Sequence, residues 1–365
     1  MSGRLRTIGI VVGVLLLVGV GFFFLRSPKP NIQIKAETLW SIGFFDITNT
    51  LFTAWIVVIF LLVVAYLVTR RMEERTPSGW QNAAEAVVEA LYNLVVNTAG
   101  EKHARRFFPV IATLFLFIIV GNWFALLPVS NVIGKVEVLG PEESEFHEDV
   151  VVFEGSVIMP GADDVAIDFD EDAVCREVEG DEREECLVGE REIAIAEARE
   201  EAGISPDTKL GVLAPYFRSV NTDLMTPLAL AIVSAFFVEY WGISVLGFRT
   251  YGSKFINVSR LMKGNPMGLI DFFVGILEFI AEIARLISFT FRLFGNMLAG
   301  EILLLMMTFL IPLLLVLPFY GLEIFVGAIQ AFVFAMLTLV FGALAVAGHG
   351  EEDHAASGEE AAATR

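Results

Sequence analysis

Residues 267–311 read MGLIDFFVGILEFIAEIARLISFTFRLFGNMLAGEILLLMMTFLI, an apolar run of 45 residues that contains no proline. As one α-helix this run would be about 67 Å long at 1.5 Å per residue, about twice the hydrocarbon thickness of a bilayer. The sequence therefore predicts a membrane helix that either breaks near Gly295 or Gly300 or lies strongly tilted. After a turn marked by Pro312 and Pro318, the chain returns through the membrane as the second arm of a hairpin.

The composition of the whole chain agrees with a membrane location. Of its 365 residues, 55% are hydrophobic and 19% are charged, and its mean hydropathy is +0.67. A soluble domain is usually about 45–50% apolar and about 25% charged. The composition therefore disfavours a soluble globule, a disordered chain and a nucleic-acid-binding protein, and it predicts an integral membrane protein.

Further apolar runs predict the remaining membrane helices. With the first arm of the hairpin they make about five membrane-spanning helices in an all-α fold. These runs, including the second arm, are residues 51–68, 107–127, 224–246 and 322–347. Residues 80–98 differ from these uniformly apolar runs. Their polar residues recur every four positions, which places them on one side of a helix with apolar residues on the other side. This segment is predicted to be an amphipathic helix that lies at the membrane surface or, alternatively, a bundle helix covered by protein.

The termini are expected to lie outside the core of the fold. Residues 1–30 carry an apolar run behind two arginines, which is as typical of a cleaved signal as of a retained anchor. Residues 31–130 then hold the first membrane helices, and residues 223–347 form the core that ends in the hairpin. Residues 348–365 are polar and rich in Ala and Glu, and they are predicted to be a disordered tail.

The net charge of −19 comes from one segment of the chain. Between Lys135 and Lys209 there are 25 acidic and 6 basic residues, and the rest of the chain holds 19 of each. The acidity therefore belongs to an insertion at residues 131–222. Basic residues cluster in the loops within 70–106 and 249–263, which the positive-inside rule assigns to the cytoplasm. The insertion is then extracytoplasmic and the C-terminal tail cytoplasmic, in a multi-pass membrane protein.

The insertion itself carries few chemical signals. Its cysteines, Cys175 and Cys186, are the only two of the chain; a disulfide is expected in an oxidising compartment, with free thiols as the alternative. Apolar runs at 150–153 and 157–159 allow β-structure and residues 183–202 look helical, so a small cap and a disordered loop both stay open. No metal site or cofactor is predicted. The chain also lacks a GxxxxGK[ST] phosphate loop, so it is expected neither to bind nor to hydrolyse ATP.

Ionisable residues lie in the hairpin, where a charge is costly. They are Glu278, Glu282, Arg285, Arg292, Glu301 and Glu323. Each costs at least about 2.5–3.5 kcal/mol at mid-bilayer, so such residues normally face a bundle interior or a water-filled path. On an ideal helix one polar stripe holds Glu278, Arg285, Ser288, Arg292 and Asn296, with Glu301 on the opposite side. Structural pairing is the ordinary interpretation and suits Glu282 with Arg285, whereas no obvious counter-ion lies within one turn of Arg292.

At these residues the sequence resembles a known family. Arg292-Leu-Phe-Gly-Asn296-Met-Leu-Ala-Gly-Glu301 is similar to the signature of the a subunit of F-type ATP synthases. Ile329-Gln330-Ala-Phe-Val-Phe334 is similar to its second signature, in the last helix. The likeness continues upstream through residues 122–128 and 223–231. It extends from about residue 39 to residue 348, apart from the insertion.

The resemblance implies a proton-translocating stator subunit beside a rotating ring of c subunits. Two offset aqueous half-channels would bring protons to a carboxylate on each c subunit and remove them, with Arg292 between the half-channels. The implied entry-side residues are Glu301, Glu323, Gln330 and Asn296, and the implied exit-side residues are Glu278 and Ser288. Asn122, like Asn296, would line the path or pack helices. Some relatives carry His at position 323, but no histidine lies in this hairpin, so a relay would use carboxylates and water.

The same resemblance implies partners. They are the c-subunit ring, b-type peripheral stalk subunits, the lipid bilayer and, indirectly, the soluble catalytic head, with no nucleic acid. A secondary transporter with a mid-membrane charged site is an alternative, which would predict internal repeats. In a third hypothesis, the helices only anchor the acidic insertion, which carries out the function. This hypothesis would leave Arg292 unexplained. The coupling ion, H⁺ or Na⁺, is left open because its binding carboxylate would lie in another chain.

Overall fold

The structure is a computed structural model. It describes residues 36–43, 45–70, 80–127, 130, 133–138, 149–154, 157–158, 165–166, 186, 193, 196–197, 209–255, 267–310 and 316–347. The predictions for residues 1–30 and 348–365 lie outside the described residues, as do Cys175 and Pro312.

Seven helices form the described helical part of the chain. They are α1 (Asn49–Arg70), α2 (Trp80–Ala99), α3 (Glu101–Phe124), α4 (Met225–Leu246), α5 (Phe248–Phe255), α6 (Met267–Leu310) and α7 (Val316–Val346). Among them α1, α3, α4 and α7 are long and apolar enough to cross a membrane. Helices suit this environment because they satisfy every backbone polar group within the segment. The chain is thus an integral membrane protein with a mostly helical fold.

The helix α6 is continuous over 44 residues. The predicted break near Gly295 or Gly300 is therefore wrong, and a strong tilt stays a prediction. A glycine in a helix interior costs only about 1 kcal/mol relative to alanine, whereas an unsatisfied backbone group in hydrocarbon costs several. The helix therefore continues through both glycines. Pro318 also departs from the prediction: it lies in the first turn of α7, where a proline is tolerated.

The described residues divide into two compact units. The helical unit comprises the described parts of Thr53–Leu126, Ser219–Ala299 and Glu323–Arg365. The insertion unit comprises those of Met1–Phe52, Leu127–Arg218 and Gly300–Leu322.

The core of the helical unit consists of aromatic contacts between its helices. Phe107 of α3 stacks on Trp241 of α4, with ring centroids 4.1 Å apart. Gly342 of α7 packs against the same indole, since a Cβ at that position would lie 2.8 Å from the Trp241 ring. Phe289 of α6 contacts Phe334 of α7, with ring centroids 5.1 Å apart. These contacts hold α3, α4, α6 and α7 together.

The amphipathic helix α2 forms as predicted. Leu91 and Val95 are buried, and the Tyr92 ring packs edge-on against Phe108 of α3 at 5.4 Å. Val87 and Val88 remain exposed. One side of α2 is therefore covered by protein, in agreement with the alternative prediction of a bundle helix, while part of its apolar surface stays uncovered.

The insertion unit contains strands, so the fold is not purely α-helical. Its strands are β1 (Thr38–Ile42), β2 (Phe45–Thr48), β3 (Gly134–Val138), β4 (Asp149–Glu154), β5 (Val157–Ile158), β6 (Val165–Ala166) and β7 (Lys209–Pro215). β1 and β2 form an antiparallel hairpin that the sequence analysis missed. The others follow the order β3-β7-β4-β5, and β6 pairs with β4. The two segments for which β-structure was allowed thus form β4 and β5, while the small cap stays a prediction.

The remaining predictions for the insertion fall mainly on residues outside the described ranges. Cys186 is disulfide-bonded, and Cys175 is the chain's other cysteine. In the segment predicted to be helical, the described residues are helical: Cys186, Ile193, Ala196 and Glu197.

Candidate functional site

Arg292 lies on an exposed face of α6. Its neighbours Phe289 and Leu293 are buried, and Phe291 is 58% exposed. The nearest polar group that binds it is the Ser288 hydroxyl, which accepts a long hydrogen bond of 3.5 Å from Nη2. Among the described residues, the Arg292 guanidinium has no ion-pair partner. A permanent cation is thus held on the side of α6 that points away from the helical unit's own core.

A hydrogen bond joins the two arms of the hairpin one turn beyond Arg292. The Asn296 amide donates to Gln330 Oε1 of α7 over 2.9 Å. Gln330 is buried, and its Nε2 atom has no hydrogen-bond partner within the described residues. A buried donor of this kind normally finds an acceptor, so the position suits an acceptor that arrives from outside this part of the chain. The predicted pair of site residues is thus brought into contact.

Glu323 lies two helical turns before Gln330 on α7. It is buried, at 9% exposure, and no hydrogen bond or ion pair to it is found among the described residues. Its position on the helix agrees with the predicted shared face with Gln330, since the two residues are seven apart.

Glu301, predicted as the other entry-side carboxylate, forms an ion pair in the insertion unit. Arg218 Nε lies 3.6 Å from Glu301 Oε1, and the two side chains are only 6% and 13% exposed. The sequence analysis did not identify Arg218, which lies within the bounds predicted for the insertion, residues 131–222. The available signal was an arginine only a few residues before the apolar run that forms α4.

The predicted exit-side residues lie on the N-terminal half of α6. Glu278 is half-buried and Ser288 is exposed. Between them Arg285 donates to Glu282 over 2.5 Å, and its guanidinium lies 3.8 Å above the Phe341 ring. The structural pairing expected for Glu282 and Arg285 is therefore present.

A second polar contact, also missed from the sequence, joins α4 and α5. The ring of Tyr251 packs directly on Gly242, where a Cβ would lie 2.3 Å from the ring. Burial, and then the charge of the Glu239 carboxylate, raise the pKa of the Tyr251 phenol above its usual range. The phenol is therefore a neutral hydrogen-bond donor at every pH of interest.

Asn122 packs helices against each other. Its amide donates to the Gly327 carbonyl of α7 over 3.1 Å, and its Oδ1 accepts from Asn221 over 2.7 Å. A Cβ on Gly327 would lie 3.1 Å from the Asn122 Cβ, so the two helices approach closely here. Of the two roles predicted for Asn122, the contacts favour helix packing.

One comparison with known proteins bears on this arrangement. The family model described as ATP synthase A chain matches residues 51–343. The match therefore includes every helix from α2 to α6, most of α1 and α7, and all the hairpin residues above. This family consists of non-catalytic membrane subunits that take part in proton transport and ATP synthesis and associate with the c-ring and other subunits. The chain, with its apolar spans and its charged hairpin, belongs to the ATP synthase A chain family, the proton-channel a subunits of F-type ATP synthases.

Proposed function

We propose that this chain forms two aqueous half-channels beside the c-ring and that Arg292 separates them. An opposite charge close by favours the ionised form of a carboxylate, whereas burial alone favours the neutral form. A ring carboxylate is therefore deprotonated next to Arg292 and protonated where it faces lipid. Proton flow from one half-channel to the other then requires rotation of the ring, because Arg292 prevents direct passage.

The observation that carries the proposal is the position of the Arg292 guanidinium. It lies on an exposed face of a helix within an apolar hairpin, and it has no ion-pair partner in the described part of the chain. An unpaired cation at membrane depth is costly, so such residues normally find a partner or water. The carboxylate of a neighbouring ring subunit is the partner that this position suits.

The remaining hairpin residues receive roles on either side of Arg292. On the entry side, Glu301 and Glu323 transfer protons through water, while the bonded pair Asn296 and Gln330 provides polar groups near the ring. On the exit side, the half-buried Glu278 and the exposed Ser288 line the path out. Burial of Glu323 and the free donor on Gln330 support this division.

The orientation is proposed from the charge distribution, and the wider assembly from the family. Clustered basic residues place the loops around α2 and α5 in the cytoplasm, which puts the insertion outside and the C-terminus inside. The setting is a bacterial plasma membrane with about five spans, where b-type stalk subunits hold the chain against the rotating ring.

The test is ATP-driven acidification of inverted membrane vesicles that contain the assembled complex. Arg292→Ala is expected to lower acidification by about 100-fold or more, since removing one preorganised electrostatic group typically costs 10²–10³ in rate. The matched control is Arg70→Ala, because Arg70 lies exposed at the end of α1 and its hydrogen bond and cation–π contact are with Tyr66 of the same helix. Immunoblots of the complex normalise each measurement.

Continued pumping by Arg292→Ala in fully assembled complexes would contradict the proposal. The charge would then be structural, and a transporter whose substrate site lies within this chain would become the better explanation.

A further inference from the structure

We propose that Arg218 is a positioning residue for the reaction, because it holds the Glu301 carboxylate in place in the entry half-channel through a buried ion pair. The inference rests on the proposed function, which gives Glu301 its role. The pair lies wholly within the insertion unit, with Nε 3.6 Å from Oε1. Arg218 is 83 positions from Glu301 in the sequence and belongs to neither of the two signatures.

Each of the three residues before Arg218 makes a contact that holds this segment in place. The Pro215 carbonyl accepts a hydrogen bond from the Asn49 amide over 3.3 Å, and the Tyr216 amide donates to the Ile133 carbonyl over 2.9 Å. The Phe217 ring packs on Phe52, with centroids 6.0 Å apart. Arg218 therefore leaves a rigid segment, so its guanidinium has little freedom to follow a moving partner.

Burial makes this pair different from a surface salt bridge. A carboxylate with 13% of its side chain exposed loses most of its hydration, and a neighbouring cation compensates for that loss. Arginine suits this task because its charge is permanent and its fork of donors is planar. With the carboxylate ionised, the pair carries no net charge. A fixed carboxylate also presents its second oxygen in one direction, which is what proton transfer through a short water chain requires.

The two entry-side carboxylates, Glu301 and Glu323, then differ in whether they have an ion-pair partner. Glu301 has a fixed cationic partner, whereas Glu323 has no ion pair among the described residues. Protonation of Glu301 weakens an ion pair, while protonation of Glu323 does not. Of these two carboxylates, Glu301 is therefore the one whose position is fixed by an ion pair, the pair with Arg218.

The experiment compares Arg218→Ala, Arg218→Lys, Glu301→Gln and the double variant Arg218→Ala/Glu301→Gln in the whole complex. The readout is ATP-driven acidification of inverted vesicles at equal amounts of assembled complex. We expect Arg218→Ala to lower pumping by about tenfold, since misplacing a reacting group by about 1 Å can cost up to 10²-fold. Arg218→Lys should recover at least half of the wild-type rate, because the cation is restored. The double variant should pump no worse than Glu301→Gln alone, because contacting residues that act through one another are not additive.

Two results would overturn the inference. One is wild-type pumping by Arg218→Ala, and the other is a further loss when Arg218→Ala is added to Glu301→Gln, which would show that Arg218 acts independently of Glu301. If the alanine variant does not assemble, Arg218→Gln replaces it, since it keeps a polar side chain without the charge. Failure of this inference is distinct from failure of the proposed function, because the latter is decided by Arg292→Ala in the same vesicles.

Discussion

Two turns of α6 hold their arginines in different surroundings. Arg285 is bonded to Glu282 at 2.5 Å and covers the Phe341 ring at 3.8 Å, so its charge is used within the helical unit. Arg292, two turns later, reaches the Ser288 hydroxyl at 3.5 Å and has no ion-pair partner within the described ranges. The first arrangement stabilises the packing of α6 on α7. The second contributes little to stability, in keeping with the proposal that Arg292 interacts with a carboxylate on another chain.

The largest expected effect comes from giving Arg292 the kind of partner that Arg285 has. In Ser288→Glu the new carboxylate precedes Arg292 by four positions, the spacing at which a glutamate and an arginine pair well on a helix. An occupied Arg292 no longer attracts the ring carboxylate, so ATP-driven acidification of inverted vesicles should fall by about 100-fold. Ser288→Gln introduces a side chain of similar size without the charge. Its acidification rate should fall by only about tenfold relative to the wild type. Equal losses in the two variants would show that size, and not charge, is decisive.

A smaller effect is expected from filling the packed region beside Arg285. Gly342→Ala places a methyl group 2.8 Å from the Trp241 ring, and overpacking of this kind costs about 1–3 kcal/mol. The midpoint of thermal unfolding of the purified complex in detergent should therefore fall. Gly295→Ala, close to Arg292, is the matched control, because nothing lies within 4 Å of its added Cβ. A lower unfolding midpoint for Gly295→Ala than for Gly342→Ala would contradict the prediction that the helix is tightly packed at Gly342 and open at Gly295.

Removing the partner of Arg285 tests whether that pair is structural. Glu282→Gln leaves a partly buried arginine without its carboxylate, which should destabilise the chain by about 1–2 kcal/mol. Pumping per assembled complex should stay close to wild type, which is measured by acidification normalised to complex content. A large loss of pumping with unchanged stability would place Glu282 in the proton path instead.

The smallest effect is expected at the contact between α4 and α5. Tyr251→Phe keeps the ring on Gly242 and removes only the buried hydroxyl that interacts with the Glu239 charge, so its effect should be about 1 kcal/mol or less. Tyr251→Ala also removes the buried ring, so its unfolding midpoint should be clearly lower than that of Tyr251→Phe. Equal midpoints for the two variants would mean that the ring contributes nothing.

Apolar periodicity was sufficient to predict most of the fold. The runs that begin near residues 51, 107, 224 and 267 correspond to α1, α3, α4 and α6, because a membrane helix must be apolar along its whole length. The polar period at 80–98 likewise predicted α2. The β1–β2 hairpin was missed since its strands have only five and four residues, too few for a clear pattern.

The structure brings predicted site residues into contact where they are close in sequence or belong to the two signatures, and their roles stay predictions. Ser288 and Arg292 are one turn apart, and the hydrogen bond from Asn296 to Gln330 joins the two motifs. Arg218 and Glu301 are far apart in the sequence and belong to no common motif. Their ion pair therefore cannot be predicted from the periodicity of apolar and polar residues. The same holds for Tyr251 and Glu239, because the chain bends at Gly247, which has φ 81°, between α4 and α5.

The antiparallel pairing of β3 with β7 brings the two ends of the long acidic segment together. Gly134 lies opposite Pro215, so the long acidic segment leaves and rejoins the rest of the insertion unit at neighbouring backbone positions, about 5 Å apart. A segment whose ends meet can be gained, lost or exchanged without changing the spacing of the elements on either side. We therefore expect that replacing the acidic segment with a two-residue turn leaves the elements on either side of it in place.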